Sequence, residues 1–224
     1  MPHTQVKFGT DGWRGLIADD FTFANVRIAA EAIAAYIHAK EDPAKGLCIG
    51  YDTRFGSKAF ARACAEVAAA TGIPVSLAHA ITPTPALSFG VRERGAAGGI
   101  MITSSHNPAQ WNGVKYKAWY GGSGKPSIIS EIESYLGKPV ARAAEPATIT
   151  EVDFLPTYLK AIESFADLDL IAKAGQIPGA VAQKSVPCSA DYLVDFVGLH
   201  DSAFHQCHRR ANHRAPRNEF RCPL

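Results

Sequence analysis

The sequence predicts an α/β fold: a three-layer α/β/α domain whose mixed sheet is mainly parallel, followed by a linker helix and an atypical C-terminal tail. Along the first 140 residues of the 224-residue chain, short apolar runs alternate with longer segments in which apolar residues recur every three or four positions. The composition, 47% hydrophobic and 20% charged, is that of a globular protein with a sizeable core. Because strands that alternate with helices form parallel sheets covered on both faces, we assign residues 1–140 to one such domain.

The first strand–helix unit follows an N-terminal helix. Residues 23–40 carry apolar side chains at helical spacing, and Thr22 precedes them as a candidate N-cap. Residues 47–51 form a short apolar run that is typical of a strand. A second helix follows and ends at Gly72, since glycine commonly terminates helices. The order is therefore strand, loop, helix.

The same order repeats in residues 75–102. Residues 75–79 are predicted to form a strand, and Pro85 suits the first turn of a helix that runs towards Arg92. Residues 98–102 form another apolar strand. The repeat supports a sheet of parallel strands joined by helices.

The end of the domain shows a different alternation. Val114, Tyr116 and Ala118 alternate with Lys115 and Lys117, which predicts a half-exposed strand. Residues 128–136 then read as a closing helix.

Two further segments follow the domain. Residues 141–174 are expected to be a linker rich in proline and alanine, followed by the first helix of a second domain, an amphipathic segment that begins near Phe154 and reaches at least Phe165. Residues 175–224 are atypical: the last 25 residues hold four of the chain's eight histidines and five arginines, with little apolar periodicity. We expect residues 176–224 to be poorly packed, as an out-of-frame segment, the end of a truncated gene or an unusual natural tail.

Charge and hydropathy exclude several classes of partner. The net charge of +2 and the pI of about 8.3 are too mild to predict binding to nucleic acid or to a membrane surface. No apolar stretch approaches the roughly 20 residues that span a bilayer, and the N-terminal residues lack the pattern of a signal peptide. We therefore expect a cytoplasmic protein, in which Cys48 and Cys64 are reduced core residues.

The stretch GGIMITSSHNPAQWNG places polar residues directly after an apolar strand. Pro108 restricts Asn107 to extended conformations and stiffens the loop, which could hold Ser105 in place as a nucleophile. The alternative is that Thr103, Ser104 and Asn107 only satisfy backbone groups at the strand end. A serine hydrolase is disfavoured because the sequence has no GxSxG motif.

Two other loops are unusual. In FGTDGWRG, three glycines allow a tight loop and Arg14 offers a planar guanidinium suited to phosphate oxygens, the alternative being a surface turn. In GYDTRFGS, Asp52 is expected in a structural role, either holding Arg54 in place or capping the next helix.

Other motifs do not carry chemistry. The stretch GGSGK lacks the earlier glycine and the Ser or Thr after the lysine that a phosphate-binding P-loop requires. The histidines and cysteines of the last 25 residues have donor types that zinc accepts, but their spacings fit no ordinary zinc finger.

Five motifs in order, FGTDGWRG, GYDTR, TPTPALSF, GGIMITSSHNP and NGVKYK, resemble the first domain of the α-D-phosphohexomutases, the phosphoglucomutase and phosphomannomutase family. The resemblance implies that Ser105 carries a phosphoryl group and transfers it to a hexose monophosphate, forming a bisphosphate that returns its other phosphoryl group to the serine. The net reaction moves phosphate between C1 and C6. Ser104 departs from the alanine usual at that position.

The resemblance also implies roles for the neighbouring residues. Lys115 and His106 are the candidates for proton transfer, Arg14 and Lys115 supply cations, and Thr103 and Asn107 complete the phosphate-binding loop. It implies Mg²⁺, held partly by the phosphate on Ser105, and an activator such as glucose 1,6-bisphosphate.

The rest of the family's site is not found in the sequence. The aspartate-rich metal loop (DGDxDR in pattern), the sugar-reading loop and the last phosphate-binding loop belong to later domains of the family. Two hypotheses follow: the N-terminal portion of a phosphohexomutase, or a non-catalytic fragment or phosphosugar-binding module without turnover of its own.

Overall fold

The computed structural model describes residues 6–9 and 12–165, which form a six-stranded sheet and five helices. The strands are β1 (Trp13–Leu16), β2 (Leu47–Tyr51), β3 (Val75–Ala78), β4 (Gly98–Ile102), β5 (Trp111–Ala118) and β6 (Ile149–Val152). The helices are α1 (Phe23–Lys40), α2 (Ser57–Ala70), α3 (Thr84–Glu93), α4 (Pro126–Ser134) and α5 (Leu155–Phe165). The predictions for residues 166–224, including the tail, lie outside the described residues.

The sheet is mixed, in the order β1-β5-β4-β2-β3-β6. The four strands β4, β2, β3 and β6 are parallel, whereas β5 pairs antiparallel with both β4 and β1. The prediction of a mainly parallel mixed sheet is confirmed. The parallel strands β2 and β4 are buried along their whole length, as expected for strands covered on both sides.

Helices cover both faces of the sheet. Gly98 and Gly99 are neighbours on β4 and therefore face opposite sides. A side chain on Gly98 would meet Tyr116, whose ring packs edge-to-face on Tyr36 of α1, and a side chain on Gly99 would meet Val91 of α3. The helix α2 shares the α1 face, while α5 packs against α3. These contacts form the three-layer α/β/α arrangement.

The local signals that predicted the helices are present in the structure. The Thr22 hydroxyl accepts a hydrogen bond from the amide of Asn25 at 3.3 Å and caps α1. Pro85 lies in the first turn of α3, where the lack of an amide hydrogen costs nothing. None of the helices within residues 6–165 combines the length and apolar character needed to cross a bilayer.

Three features of the sheet differ from the sequence prediction. The strand β1 begins within the stretch interpreted as a loop and ends one residue after it, and β6 lies at the end of the segment interpreted as a connection. The strand β5 is not half-exposed, because Lys115 and Lys117 are only 7% and 5% exposed. Its lysine side faces the layer of α3, and the Lys117 ammonium donates a hydrogen bond to the Ser123 hydroxyl at 3.0 Å. The apolar and lysine residues of β5 alternate because they face two different helical layers, and neither side of the strand faces solvent.

Candidate functional site

The candidate site lies on the loop that follows β4, at the carboxyl end of the parallel strands. The strand β4 is central, between β2 and β5. At this edge Thr103 donates its amide hydrogen to the carbonyl of Gly113, and Gly113 is paired with Arg14 on β1. Thr103, Gly113 and Arg14 therefore form one row across three strands. Such an edge is where ligand sites occur in parallel α/β sheets.

Ser105 has a left-handed backbone conformation, with φ of 58°. A non-glycine residue adopts this conformation at a cost of about 1–2 kcal/mol, so its surroundings must hold it there. The amide of Ser105 donates to the hydroxyl of Thr103 at 3.0 Å, and the amide of Asn107 donates to the carbonyl of Ser104 at 3.1 Å. These bonds close a compact turn.

The side chains of Ser105 and His106 are exposed on this turn. The Ser105 Oγ lies 3.5 Å from the His106 Nδ1, a distance too long for a strong hydrogen bond. The serine hydroxyl is therefore presented to solvent beside an imidazole rather than engaged by a tightly bound base.

Arg14 reaches the loop from β1. Its Nη1 donates a hydrogen bond to the Asn107 Oδ1 at 2.9 Å. The Arg14 side chain lies on the face of the sheet towards which a side chain on Gly113 would project, since its Cγ would be 3.1 Å from that Cβ. Lys115, two residues further along β5, lies on the same face by strand alternation and is paired with Met101 of β4. Both cations are thus on the same face of the sheet.

Arg54 contacts the Ser105 loop from the other side of β4, where it lies on the segment that follows β2. Its guanidinium donates to four backbone carbonyls of the loop: those of Ser105 at 2.7 Å, Asn107 at 2.8 Å, Pro108 at 2.9 Å and Trp111 at 3.0 Å. We call Arg54 and these four carbonyls the arginine clamp. It makes the loop conformation depend on a residue about fifty positions earlier in the chain.

A buried polar network anchors the clamp. The Asp52 carboxylate accepts the Arg54 Nε–H at 3.2 Å and the Ser57 hydroxyl at 2.9 Å, and the Ser57 hydroxyl accepts from the Asn112 amide at 2.9 Å. The Asp52 side chain is 2% exposed and that of Arg54 is 11% exposed. The prediction that Asp52 has a structural role and holds Arg54 is confirmed.

Ser104, unlike the buried polar side chains of this network, lacks a hydrogen-bond partner for its hydroxyl among the described residues. Its side chain is fully buried. An unpaired buried hydroxyl is unfavourable by about 1–3 kcal/mol. The interpretation that Thr103, Ser104 and Asn107 all satisfy backbone groups is therefore wrong for the hydroxyl of Ser104, whereas the Thr103 hydroxyl does accept a backbone hydrogen bond.

Five of the six sequence-predicted site residues meet at one edge of the sheet, and the sixth, Lys115, lies on the same face of the sheet as Arg14. The loop carries Thr103, Ser105, His106 and Asn107, and Arg14 contacts it directly. What the sequence missed is the extent of the arginine clamp; the Asp-x-Arg spacing after β2 was the available signal. Within residues 6–9 and 12–165, no group of three histidine, cysteine or acidic side chains is arranged to hold a metal ion. The Asp52 carboxylate is already engaged by Arg54 and Ser57, so the donors described do not fit a complete Mg²⁺ site.

The chain matches the family model described as phosphoglucomutase/phosphomannomutase, alpha/beta/alpha domain I, over residues 5–142. It is 36% identical over 152 residues to the phosphoglucomutase of Staphylococcus saprophyticus, an alignment covering 66% of this chain and 27% of that protein. It is 34% identical over 129 residues to the phosphoglucosamine mutase of Carboxydothermus hydrogenoformans, covering 58% of this chain and 29% of that protein.

A solved structure shows the same likeness. A putative phosphomannomutase from Thermus thermophilus superposes with a TM-score of 0.66 at 38% identity, over 73% of this chain and 37% of that one. The chain therefore spans about a third or less of the curated relatives named above.

Proposed function

Because this chain belongs to the phosphoglucomutase and phosphomannomutase family, as its first α/β/α domain, we propose that Ser105 is a phosphoryl carrier for a hexose phosphate. The proposed net reaction moves phosphate between C1 and C6 of the sugar. The observation that carries the proposal is the exposed Ser105 hydroxyl on a braced loop, with the Arg14 guanidinium bonded to the same loop.

The proposed step is a phosphoryl exchange. The bond between Ser105 Oγ and phosphorus breaks, a bond between phosphorus and a sugar hydroxyl oxygen forms, and the proton of that hydroxyl ends on Ser105 Oγ. The bisphosphate then reorients in the site, and its other phosphoryl group is transferred to Ser105 by the reverse of the same exchange. We propose His106 and Lys115 as the groups that carry the proton.

Positioning and charge neutralisation dominate phosphoryl transfer, because the transferred group is highly anionic and needs little covalent assistance. Two features of the loop support this role. The clamp and the Thr103 hydroxyl fix the backbone on both sides of the serine. Arg14, bonded to Asn107, lies within the same loop network, so a guanidinium is available to phosphoryl oxygens near Ser105.

The isolated chain is expected to accept a phosphoryl group but to show little multiple turnover. The substrate must be held in two orientations, and in the family the groups that do this come from later domains, as the resemblance implies. Losing such positioning lowers rates by orders of magnitude. Mg²⁺ and a bisphosphate activator remain part of the proposal for the complete enzyme.

A labelling experiment tests the proposal. The chain is incubated with Mg²⁺ and glucose 1,6-bisphosphate carrying ³²P, and the labelled residue is located by mass spectrometry. We expect up to one phosphoryl group per chain on Ser105 in the wild type and in Ser104→Ala, the matched control at the adjacent serine, and none in Ser105→Ala.

The outcomes separate the candidate functions. No label on the wild type, together with binding of the bisphosphate by calorimetry, would favour a phosphosugar-binding module and refute phosphoryl transfer by this chain. Turnover of glucose 1-phosphate at an ordinary enzymatic rate of about 1–1000 per second, abolished by Ser105→Ala, would show that the later domains are not required.

A further inference from the structure

We propose that Arg54 is the positioning residue of this site: its guanidinium sets the left-handed conformation of Ser105 and thereby the direction of the Ser105 hydroxyl. Its relevance to phosphoryl transfer rests on the proposed function. Its relevance to the shape of the loop rests on geometry alone.

The donor count assigns this role. A guanidinium has five N–H donors. Here Nε donates to Asp52, Nη1 donates to the carbonyls of Pro108 and Trp111, and Nη2 donates to those of Ser105 and Asn107. All five donors are used within the protein, so Arg54 has none left for a phosphate oxygen. Arg14 differs in this respect, because among the described residues its guanidinium shows one hydrogen bond, to the Asn107 Oδ1.

The contact with Ser105 is the shortest of the four backbone contacts, at 2.7 Å. The carbonyl of Ser105 belongs to the peptide that links the left-handed residue to His106, so fixing this oxygen fixes the rotation of that peptide. The strain of a positive φ must be offset by contacts around it. The clamp supplies such contacts on the carbonyl side, while the Thr103 hydroxyl holds the amide side.

The clamp is rigid because its own anchor is buried. Asp52 accepts the Arg54 Nε–H and also bonds the Ser57 hydroxyl at the start of α2. A charged pair removed from water is held more firmly than an exposed one, which water and salt screen. The conformation of Ser105 is thus tied to the end of a helix on a neighbouring strand–helix unit.

The test uses Arg54→Lys, which keeps the positive charge but loses the planar set of guanidinium donors. Arg62→Lys is the matched control. Arg62 also donates its Nε–H to a carboxylate, that of Glu66, at 3.2 Å, but this pair is exposed on α2. Hydrogen exchange is measured on the backbone amides of residues 104–111, apart from Pro108, which has no amide hydrogen. We expect exchange at Ser105 and Asn107 to rise at least tenfold in Arg54→Lys and to stay within twofold in Arg62→Lys.

The second readout is the rate of Ser105 labelling as a function of glucose 1,6-bisphosphate concentration. We expect Arg54→Lys to lower the maximal rate constant at least tenfold and to leave the half-saturating concentration within twofold, since Arg54 has no donor for the sugar phosphate. A variant that only unfolds in part would instead lower the labelled fraction at an unchanged rate constant. Asp52→Asn, which keeps an acceptor oxygen but not the charge, should show a smaller change in the same direction.

Hydrogen exchange and labelling test the two proposals independently. Unchanged exchange at residues 104–111 in both Arg54→Lys and Asp52→Asn would overturn the positioning role, whatever the labelling shows. A wild type that takes no label, with exchange still raised in Arg54→Lys, would refute the proposed function and leave the positioning of the loop supported. An equal fall in labelling rate in Arg62→Lys would also overturn the inference.

Discussion

Replacing Ser104 with alanine should make the protein more stable, although it removes a polar group next to the candidate nucleophile. Ser104 is 0% exposed and its Oγ has no hydrogen-bond partner among the described residues. Folding therefore removes this hydroxyl from water without replacing its hydrogen bonds, at a cost of about 1–3 kcal/mol. Alanine keeps the Cβ and avoids that cost. We expect the free energy of unfolding to rise by about 1 kcal/mol or more.

Ser57→Ala is the matched control, because it is the same chemical change at another buried serine. Ser57 is 1% exposed, but its hydroxyl donates to the Asp52 carboxylate at 2.9 Å and accepts from the Asn112 amide at 2.9 Å. Its removal takes one donor from a buried carboxylate and one acceptor from a buried amide. A hydrogen bond to a charged group contributes about 1.5–3 kcal/mol, so the free energy of unfolding should fall by about that amount. The two variants should change stability in opposite directions.

Urea unfolding followed by circular dichroism measures both effects, with an unchanged slope showing that the extent of unfolding is the same. For a protein of this size, about 1 kcal/mol corresponds to a shift in melting temperature of roughly 2–4 °C. A Ser104→Ala protein that is no more stable than the wild type would refute the reasoning, because it would mean that the Ser104 hydroxyl is satisfied in solution. A Ser57→Ala protein of wild-type stability would refute the network.

Three further predictions test other parts of the structure. Ser105→Gly should be more stable than Ser105→Ala by about 0.5–1 kcal/mol in urea unfolding, because glycine relieves the strain of the positive φ but loses more backbone entropy on folding, which offsets part of the gain. Equal stabilities would contradict the strain. Burial raises the pKa of Cys48 and Cys64 to about 12 from 9.0, so both thiols should resist iodoacetamide at a pH of about 8 unless urea is present. Because the folded state keeps these thiols neutral, the free energy of unfolding should fall as the pH rises from about 9 to 12, and a flat profile would argue against their burial. Gly113→Ala should destabilise by about 1–3 kcal/mol in thermal unfolding, since its Cβ would lie 2.7 Å from the Thr103 carbonyl oxygen and 2.8 Å from that of Trp13. Gly9→Ala is the control, because its φ is not positive and its Cβ would make only an ordinary contact, at 3.5 Å from the Gly12 carbonyl oxygen.

The elements that the sequence predicted well are those whose signals are local. Helix α1 and strands β2 and β4 have the predicted bounds, because helical spacing and short apolar runs are visible within each segment. The strands β1 and β6 are four residues each and lack an uninterrupted apolar run. Their extended conformation is fixed by pairing with β5 and β3, which are remote in sequence. Propensity within four residues does not predict such pairing.

The candidate site divides in the same way. The polar loop was visible because Ser105 and its neighbours follow an apolar strand and match a family motif. Only the anchor of the clamp was visible, in the Asp-x-Arg spacing after β2. Its contacts with the loop were not, because the acceptors of Arg54 are backbone carbonyls, which every residue carries and no residue type marks. The burial of Lys115 was likewise hidden, since it depends on which layer covers the second face of β5.

The contacts that shape the Ser105 loop also have a kinetic consequence. Arg14 and Asn107 are 93 residues apart in sequence, and Arg54 and Ser105 are 51 apart. Contacts of such separation require closure of long chain segments, so they favour a slow search and form after the local helices. We expect φ-values near zero for conservative changes at Arg14 and Arg54, which would then accelerate unfolding and leave the refolding rate almost unchanged. The geometry around Ser105 would be the last part of the domain to appear on folding and among the first to be lost.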